Sequence, residues 1–222
     1  VAMSHDLQAP VRQIALFARL IDEDCRDALP PKGAEFLDEI AAAAARMKAM
    51  IESLLRYMRV AAQEPEFAPV NVADAIWAAR RNLTSDIEAA GARFEVGPLP
   101  RIDGDAGLLC SLFQNLIENA LKYRGAAAPV LVVEALPGPG PRIAFADNGP
   151  GIPAAEREGA FLLFRRLSRD RHRAGQGAGL AVCRRIVELH GGRIEIDPDY
   201  DRGLRFVIAF PETAKDARKR RD

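Results

Sequence analysis

The amino-acid sequence predicts an α+β fold in which a helical hairpin is followed by an α/β sandwich. Two long helical stripes of apolar residues near the N-terminus, separated by a Pro-Pro-Lys-Gly break, predict the hairpin. From residue 63 the sequence pattern changes, and short runs of strand-forming residues alternate with helical segments. Such a mixture indicates a sheet that helices cover on one face. We therefore expect one domain over residues 1–62, a second over 63–213 and a basic tail over 214–222.

The composition excludes several classes of function. The 222 residues are 49% hydrophobic, and 31 basic residues balance 31 acidic ones. This balance argues against capture of nucleic acid by overall positive charge. Apolar runs end well short of the about 20 residues that a spanning helix needs, so we expect no membrane contact. The scattered Cys25, Cys110 and Cys183 fit neither a disulfide framework nor a zinc cluster, which predicts reduced, mostly buried thiols and a cytoplasmic location.

The two N-terminal stripes have the spacing of packed helices. The first comprises Leu7, Val11, Ile14, Ala18, Ile21 and Cys25. The second comprises Leu37, Ile40, Ala44, Met47, Ile51, Leu54 and Met58. Both advance by alternating steps of three and four residues, as in a helix pair or bundle. Between them Pro30 and Pro31 lack amide donors and Gly33 permits a turn, so the first helix ends there.

A lone hairpin leaves part of each apolar stripe in water, and a chain of this length is marginal for an independent core. Pairing with a second copy in a four-helix bundle solves this problem, so we expect a homodimer through the hairpin. The alternative is that the stripes pack on the rest of the same chain.

Residues 63–213 carry the signals of the sandwich. Strands are expected at residues 67–70, 93–96, 130–134, 142–146, 193–196 and 204–210, and helices at 72–89, 106–123 and 179–190.

One of these helices carries a polar stripe. Asn115, Asn119 and Lys122 are spaced by four and three residues and therefore share one helix face. Two amide carbonyls and an ammonium group on one stripe can hold hydrated Mg²⁺ and the phosphates that it bridges. An ordinary polar face is the alternative interpretation.

Two glycine-rich loops flank the later strands and helices. Asp147 begins the first, which continues through residue 152, and the second spans residues 175–180. Glycines let backbone amides approach a polyphosphate, and the following helix N-terminus supplies partial positive charge. With a carboxylate able to accept from an exocyclic amine, the pair of loops indicates a purine nucleotide. The pattern is neither a Rossmann fingerprint nor a P-loop.

A histidine near the N-terminus is the candidate nucleophile. His5 lies two residues before the first position of the apolar stripe, so its side chain is expected to point away from the seam. A neutral imidazole is a good nucleophile near neutral pH, and the neighbouring Asp6 can orient it and accept its proton. Taken in isolation, such a His-Asp pair is more typical of a solvated helix end.

Several segments together resemble the motifs of sensor histidine kinases. Residues 5–10 resemble the H box, 115–123 the N box, 147–152 the first glycine box, 161–167 the F box and 175–180 the second glycine box. They occur in the order and at the spacings of that family, over most of the chain.

This resemblance implies a fold and an activity. Residues 1–62 would be a dimerisation and histidine-phosphotransfer hairpin, and 63–213 a catalytic domain with the Bergerat-type sandwich of GHKL ATPases. The implied enzyme is an ATP-dependent protein-histidine kinase. His5 would be the phosphoacceptor, and Asp6 the acid that positions and deprotonates it. The phosphoryl group would pass to an aspartate of a response-regulator receiver domain.

The resemblance also implies which residues bind ATP and Mg²⁺. They are Asn115, Asn119, Lys122, Tyr123, Asp147, Gly149, Gly151, Phe164, Arg166, Gly175, Gly177, Gly179 and Leu180. Within this set Asn119 is the principal Mg²⁺ ligand with Asn115 beside it, and Asp147 accepts from the adenine amino group. The lid between the F box and the second glycine box contains Arg165, Arg166, Arg169, Arg171 and Arg173, one of which is expected to offset γ-phosphoryl charge.

The sequence departs from the family pattern in three places. Gln176 and Ala178 replace the commoner Thr and Leu or Ile of the lid, whose glycines remain. Ala9 stands where members with phosphatase activity resemble one another in having Thr or Asn, and it offers no hydrogen-bonding atom for a water. We therefore expect weak phosphatase activity. Related hydrolytic ATPases carry a water-activating glutamate at the position of Asn115, so the amide favours transfer over hydrolysis.

Two other functions remain as alternatives. One is a degenerate nucleotide-binding scaffold that dimerises and docks a receiver domain, although His5, Asn119 and Asp147 are all present. The other is a phosphorelay transferase or phosphatase with little kinase activity. The chain begins beside its candidate nucleophile, so we expect a fragment whose upstream sensor is missing. The H box is similar to those of kinases linked to phytochrome or PAS modules.

Overall fold

The computed structural model describes residues 2–165 and 177–212, with side chains from Gln8 onward. The chain divides into two compact units, Val1–Met58 and Arg59–Asp222. The expected domain limits at residues 62 and 213 stay a prediction, and the basic tail lies outside the described residues.

The first unit is a helical hairpin. Helix α1 spans Ala2–Cys25, a 3-10 turn spans Arg26–Ala28, and helix α2 spans Pro31–Ala61. Proline suits the first position of a helix because its missing amide hydrogen has no partner there anyway. The guanidinium of Arg26 donates to both carboxylate oxygens of Asp38, at 3.0 and 3.1 Å, and also to Asp22. These bonds connect the end of α1 with the start of α2 across the turn.

The hairpin buries only part of its two apolar stripes. Val11 and Ala18 of α1 and Leu37 and Ala44 of α2 are buried. Ile14, Leu16, Phe17, Leu20, Ile21, Phe36, Ile40, Met47, Met50 and Met58 are exposed large apolar side chains of this unit. The apolar stripes predicted from the sequence are therefore buried on one side, within the hairpin, and exposed to solvent on the other.

The second unit contains two sheets. Strand β1 (Ala68–Asn71) pairs antiparallel with β3 (Arg101–Gly104). The larger sheet has the order β2-β4-β5-β7-β6, with β2 at Arg93–Val96, β4 at Val130–Ala135, β5 at Arg142–Asp147, β6 at Arg193–Ile196 and β7 at Leu204–Ala209. Only the β2–β4 pair of this sheet is parallel. Strand β3 was not predicted, because Asp103 and Gly104 are poor strand formers; pairing of Ile102 with Val70 compensates.

The helices of this unit are α3 (Val72–Asn82), α4 (Thr84–Ala90), α5 (Ala106–Lys122), α6 (Ala154–Arg157) and α7 (Gly179–Leu189). The single helix expected over 72–89 is wrong: the chain leaves helical geometry at Leu83. The side chain of Leu83 is buried there, and the hydroxyl of Thr84 bonds to the carbonyl of Arg81 at 2.9 Å. Neither Gly nor Pro marks this break in the sequence.

The core lies between one face of the larger sheet and the helices. Helix α5 packs beside α3 and α7. Its Leu109, Leu112, Phe113, Leu116 and Ile117 are essentially fully buried. The sheet contributes Leu131, Ile143, Phe145, Phe206 and Ile208. In β4 and β7 buried residues alternate with more exposed ones, as expected for a sheet covered on one face.

A buried polar junction joins the start of α5 to the end of α7. Asp105 caps α5, because its Oδ1 accepts from the amide of Leu108 at 2.9 Å, and its Oδ2 accepts from the amide of Glu66 at 3.1 Å. The amide of Asp105 donates to Nε2 of the fully buried His190 at 3.0 Å. Nδ1 of His190 therefore carries the proton and donates to the carbonyl of Ile186 at 2.7 Å.

Within residues 2–165 and 177–212 no helix combines the length and apolar character needed to cross a membrane. The cysteines are unpaired: Cys183 is buried, Cys110 is half-buried and Cys25 is exposed. The expectation of mostly buried thiols thus holds for Cys183 and is wrong for Cys25, which ends α1 at the surface.

Asp105→Ala is expected to lower the free energy of unfolding by about 1–2 kcal/mol, because it removes the cap of α5 and the acceptor for Glu66. Urea denaturation of the variant beside wild type measures the change. The exposed Asp103→Ala, two residues away, is the matched control and should stay near wild type. Equal effects of both substitutions would contradict the capping role.

Candidate functional site

The polar stripe of α5 presents two side-chain amides. Asn115 is 6% exposed, and its Nδ2 donates to the carbonyl of Ser111 at 2.7 Å. This bond leaves the carbonyl oxygen Oδ1 for other partners. Nδ2 of Asn119 is buried, and no partner for it occurs among the described residues. An unsatisfied buried amide of this kind is typical of a site that a ligand completes.

Helix α7 begins directly beside these amides. A Cβ on residue 179 would be in ordinary van der Waals contact with both amides, 3.4 Å from Asn119 Nδ2 and 3.5 Å from Asn115 Oδ1, so Gly179 lies next to them. The helix begins after Ala178, whose side chain makes no capping bond. Its first-turn amides therefore receive no side-chain cap from that residue and are suited to an anion.

Asp147 is the last residue of β5. It is 8% exposed, and burial raises the pKa of its carboxyl group. Backbone amides of Gly149 and Leu204 oppose this shift, the first by donating to Oδ1 at 2.7 Å. A buried carboxylate with a raised pKa favours a ligand that donates hydrogen bonds to it.

The loop after Asp147 packs on the turn between β6 and β7. Gly151 has a φ of +69° and Gly203 a φ of +150°. A Cβ on Gly203 would collide with the carbonyl oxygen of Asp147, and a Cβ on Gly151 would lie 2.8 Å from the carbonyl oxygen of Gly203. The wall beside Asp147 is therefore made of main chain. Sequence reasoning missed Gly203, because a glycine after Asp201 and Arg202 has the signature of an ordinary turn.

Three further contacts connect predicted site residues. The amide of Phe164, which has a φ of +64°, donates to the carbonyl of Gly177 at 3.0 Å, so the F box touches the second glycine loop. Nζ of Lys122 lies 4.8 Å from the centroid of the Tyr123 ring. The carbonyl of Tyr123 is 3.3 Å from where a Cβ on Gly149 would be, which brings the end of α5 to the first glycine loop.

The structure thus brings together Asn115, Asn119 and Gly179, and separately Asp147, Gly149 and Gly151. Leu180 lies in the first turn of α7. The backbone of His5 and Asp6 is part of α1, and their side chains are not among those that the structure describes. Arg166, Arg169, Arg171, Arg173, Gly175 and Gln176 are also outside the described residues.

The residues present fit a magnesium nucleotide. Amide carbonyl oxygens such as those of Asn115 and Asn119 are hard neutral ligands that Mg²⁺ accepts together with phosphate oxygens and water. The uncapped start of α7 suits phosphate, and the buried carboxylate of Asp147 suits an amino group.

Comparison with protein families agrees with this site. Residues 104–214 match the family model described as histidine kinase-, DNA gyrase B- and HSP90-like ATPase. Residues 2–63 match the His Kinase A (phospho-acceptor) domain.

Individual relatives include a phytochrome-like protein and a sensory kinase. The chain is 33% identical to the phytochrome-like protein Cph1 of Synechocystis over 94% of its own length, and it covers 28% of that protein. It is 30% identical to the adaptive-response sensory kinase SasA of a Synechococcus strain over 93% of its length, covering 57% of that protein. The chain therefore spans only part of these relatives.

Solved structures have the same fold. The mycobacterial sensor histidine kinase MprB is 27% identical, with a TM-score of 0.57 over 67% of this chain and 99% of that one. Full-length ShkA, solved with AMPPNP, gives a TM-score of 0.63 at 24% identity over 96% of this chain and 45% of that one. With both family models matched, the chain belongs to the sensor histidine kinases of two-component systems, and its second unit contains their GHKL-type ATPase domain.

Asp147→Asn is expected to separate ligand binding from stability. Loss of the ionised acceptor should weaken ADP binding about tenfold. Because burial raises the pKa of Asp147, its ionisation opposes folding, so the variant should have a higher Tm near neutral pH. This gain should shrink as the pH falls and the wild-type carboxyl becomes protonated. Calorimetric titration and thermal melts measure both effects.

The control for this experiment is Asp201→Asn, in the turn that also carries Gly203. Asp201 is exposed, and its substitution should change neither ADP affinity nor Tm. Unchanged ADP affinity in Asp147→Asn would contradict the assignment of Asp147 as the adenine acceptor.

Proposed function

We propose that this chain is the catalytic core of a sensor kinase that transfers the γ-phosphoryl group of ATP to His5. The proposal rests on the pair of side-chain amides of α5 beside the uncapped start of α7, and on the buried Asp147 at the end of β5. Support comes from the match of residues 2–63 to the phospho-acceptor domain. The complex of ShkA with AMPPNP supports ATP as the nucleotide.

Each part of the site has a role in this proposal. Asp147 accepts a hydrogen bond from the adenine amino group, and the first glycine loop shapes the base pocket. Asn119 and Asn115 hold the cation, and the first amides of α7 bind phosphate oxygens. Mg²⁺, when bound there, would offset negative charge of the phosphates. Lys122, Tyr123, Phe164, Arg166, Gly175 and Leu180 are proposed to complete the nucleotide site.

At the acceptor, the unprotonated imidazole nitrogen of His5 forms the new N–P bond as the bond from the γ-phosphorus to the bridging oxygen breaks. ADP is the leaving group. Asp6 orients the imidazole and takes the proton of its other ring nitrogen, so no positive charge is left on the phosphorylated ring. The phosphoryl group then passes to an aspartate carboxylate of a response-regulator receiver domain, and the histidine is regenerated.

Two observations support the partners that we propose: the exposed apolar surface of the hairpin and the greater length of a relative. The exposed apolar side chains of α1 and α2 support a homodimer through the hairpin, in which two hairpins form a four-helix bundle. The phytochrome-like relative is longer than this chain, which covers 28% of it, and this supports an additional sensor region. ATP as substrate supports a cytoplasmic location for this segment.

His5→Gln should abolish phosphorylation while leaving nucleotide binding intact, because glutamine lacks the nucleophilic ring nitrogen. Wild type incubated with Mg²⁺ and γ-labelled ATP is expected to acquire an acid-labile, base-stable label. Asp24→Asn, at an exposed position near the other end of α1, is the control and should be labelled like wild type. Persistent acid-labile labelling of His5→Gln would overturn the assignment, and steady release of phosphate at the rate of labelling would indicate an ATPase.

Ala9→Thr should increase dephosphorylation of a phosphorylated receiver domain several-fold. Ala9 follows His5 by four residues in α1, so both lie on one helix face, and a hydroxyl there can position a water. Ala9→Val has nearly the same shape without a hydroxyl and should behave like wild type. Receiver domains that accept the label from the chain supply the substrate, and equal rates for Thr and Val would contradict the role of the hydroxyl.

A further inference from the structure

Arg157 connects two loops that border the site of Asp147. It lies at the end of α6 and is half-buried. Its Nε donates to the carbonyl of Ile152 at 3.1 Å, and its Nη1 donates to the carbonyl of Pro198 at 3.1 Å. Ile152 is the last residue of the first glycine loop, and Pro198 lies in the turn between β6 and β7. One guanidinium group therefore fixes the distance between these two loops.

Gly203 is the last residue of the turn between β6 and β7 that Arg157 contacts, and it lies against Asp147. Gly203 lies so close to the carbonyl of Asp147 that no side chain fits between them, and its own carbonyl faces Gly151. A displacement of the turn therefore changes the main-chain surroundings of Asp147 and Gly151 together. The amide of Leu204, the next residue, also lowers the pKa of the Asp147 carboxyl group.

Side-chain contacts join the start of this turn to the strand that follows it. Oδ2 of Asp197 accepts from Nε and Nη2 of Arg205, at 2.8 and 2.6 Å. Oδ1 of Asp197 accepts from the amide of Asp199 at 3.0 Å. The guanidinium of Arg205 also lies 4.8 Å from the centroid of the Tyr200 ring. These contacts connect residues 197–200 with Arg205 across the turn, and Arg157 connects the turn with the first glycine loop.

We infer that Arg157 is a positioning residue for recognition of the adenine amino group, acting through the turn at residues 197–203 on Asp147. This inference rests on the proposed nucleotide site. Arg157 does not have to touch the ligand; it holds the wall that fixes where the carboxylate lies. Lysine cannot replace it, because a single ammonium group cannot reproduce the two separated donors of the guanidinium.

A double-mutant cycle on the full chain tests this role, with ADP as the probe and affinity measured by calorimetry. Arg157→Ala should weaken ADP binding about tenfold in the wild-type background and at most about twofold in the Asp147→Asn background. A merely structural contribution would give the same loss in both. Arg157→Lys should recover little of the affinity. Arg142→Ala, which removes a guanidinium bond to the carbonyl of Pro137 near the far end of β5, is the matched control and should bind like wild type.

A second ligand gives a readout that does not depend on the Asp147 variant. Purine riboside diphosphate lacks the amino group of ADP, and Arg157→Ala should weaken its binding by no more than about twofold. Equal losses for both ligands, or equal losses in both backgrounds, would overturn the positioning role. If wild type binds ADP and Asp147→Asn weakens it but Arg157→Ala does not, this inference alone fails. If wild type binds no ADP, the proposed function fails.

Discussion

Helix α5 has to meet two requirements with one sequence, and the second unit depends on both. One face buries leucine, isoleucine and phenylalanine side chains against the neighbouring helices and the sheet, which fixes the position and rotation of the helix. That rotation directs Asn115 and Asn119 toward the start of α7. The apolar packing therefore decides where the amide groups lie, and the cap at Asp105 fixes where the helix begins.

Local patterns in the sequence predicted most elements, and the failures have physical causes. Strands β2, β4, β5, β6 and β7 have runs of β-branched or aromatic residues, so their local preference agrees with the final structure. Strand β3 depends on its partner β1, and a partner distant in sequence leaves no local signal. The break at Leu83 arises because burial of that side chain outweighs helix continuation, which is a tertiary effect.

The candidate site was predictable where its chemistry is concentrated in short segments. The spacing of Asn115 and Asn119 on one helix was sufficient to expect two amides on one face, and Asp147 with its glycines identified the loop beside a strand. The contributions of Gly203 and Arg157 were not predictable in this way. Both act through main-chain contacts between segments far apart in the sequence, and a backbone carbonyl carries no residue identity that a motif could display.

The wall beside Asp147 has a consequence for inhibitor resistance. At Gly151 and Gly203 the surface is formed by peptide groups, and replacement of either glycine brings a new Cβ against a neighbouring carbonyl. A competitive inhibitor that contacts this wall contacts peptide groups. The shape of that surface does not change when evolution substitutes one side chain for another. Resistance mutations against such a compound then fall into two groups: substitutions that displace the whole wall, and substitutions of side chains elsewhere around the ligand. Fewer positions can therefore give rise to resistance.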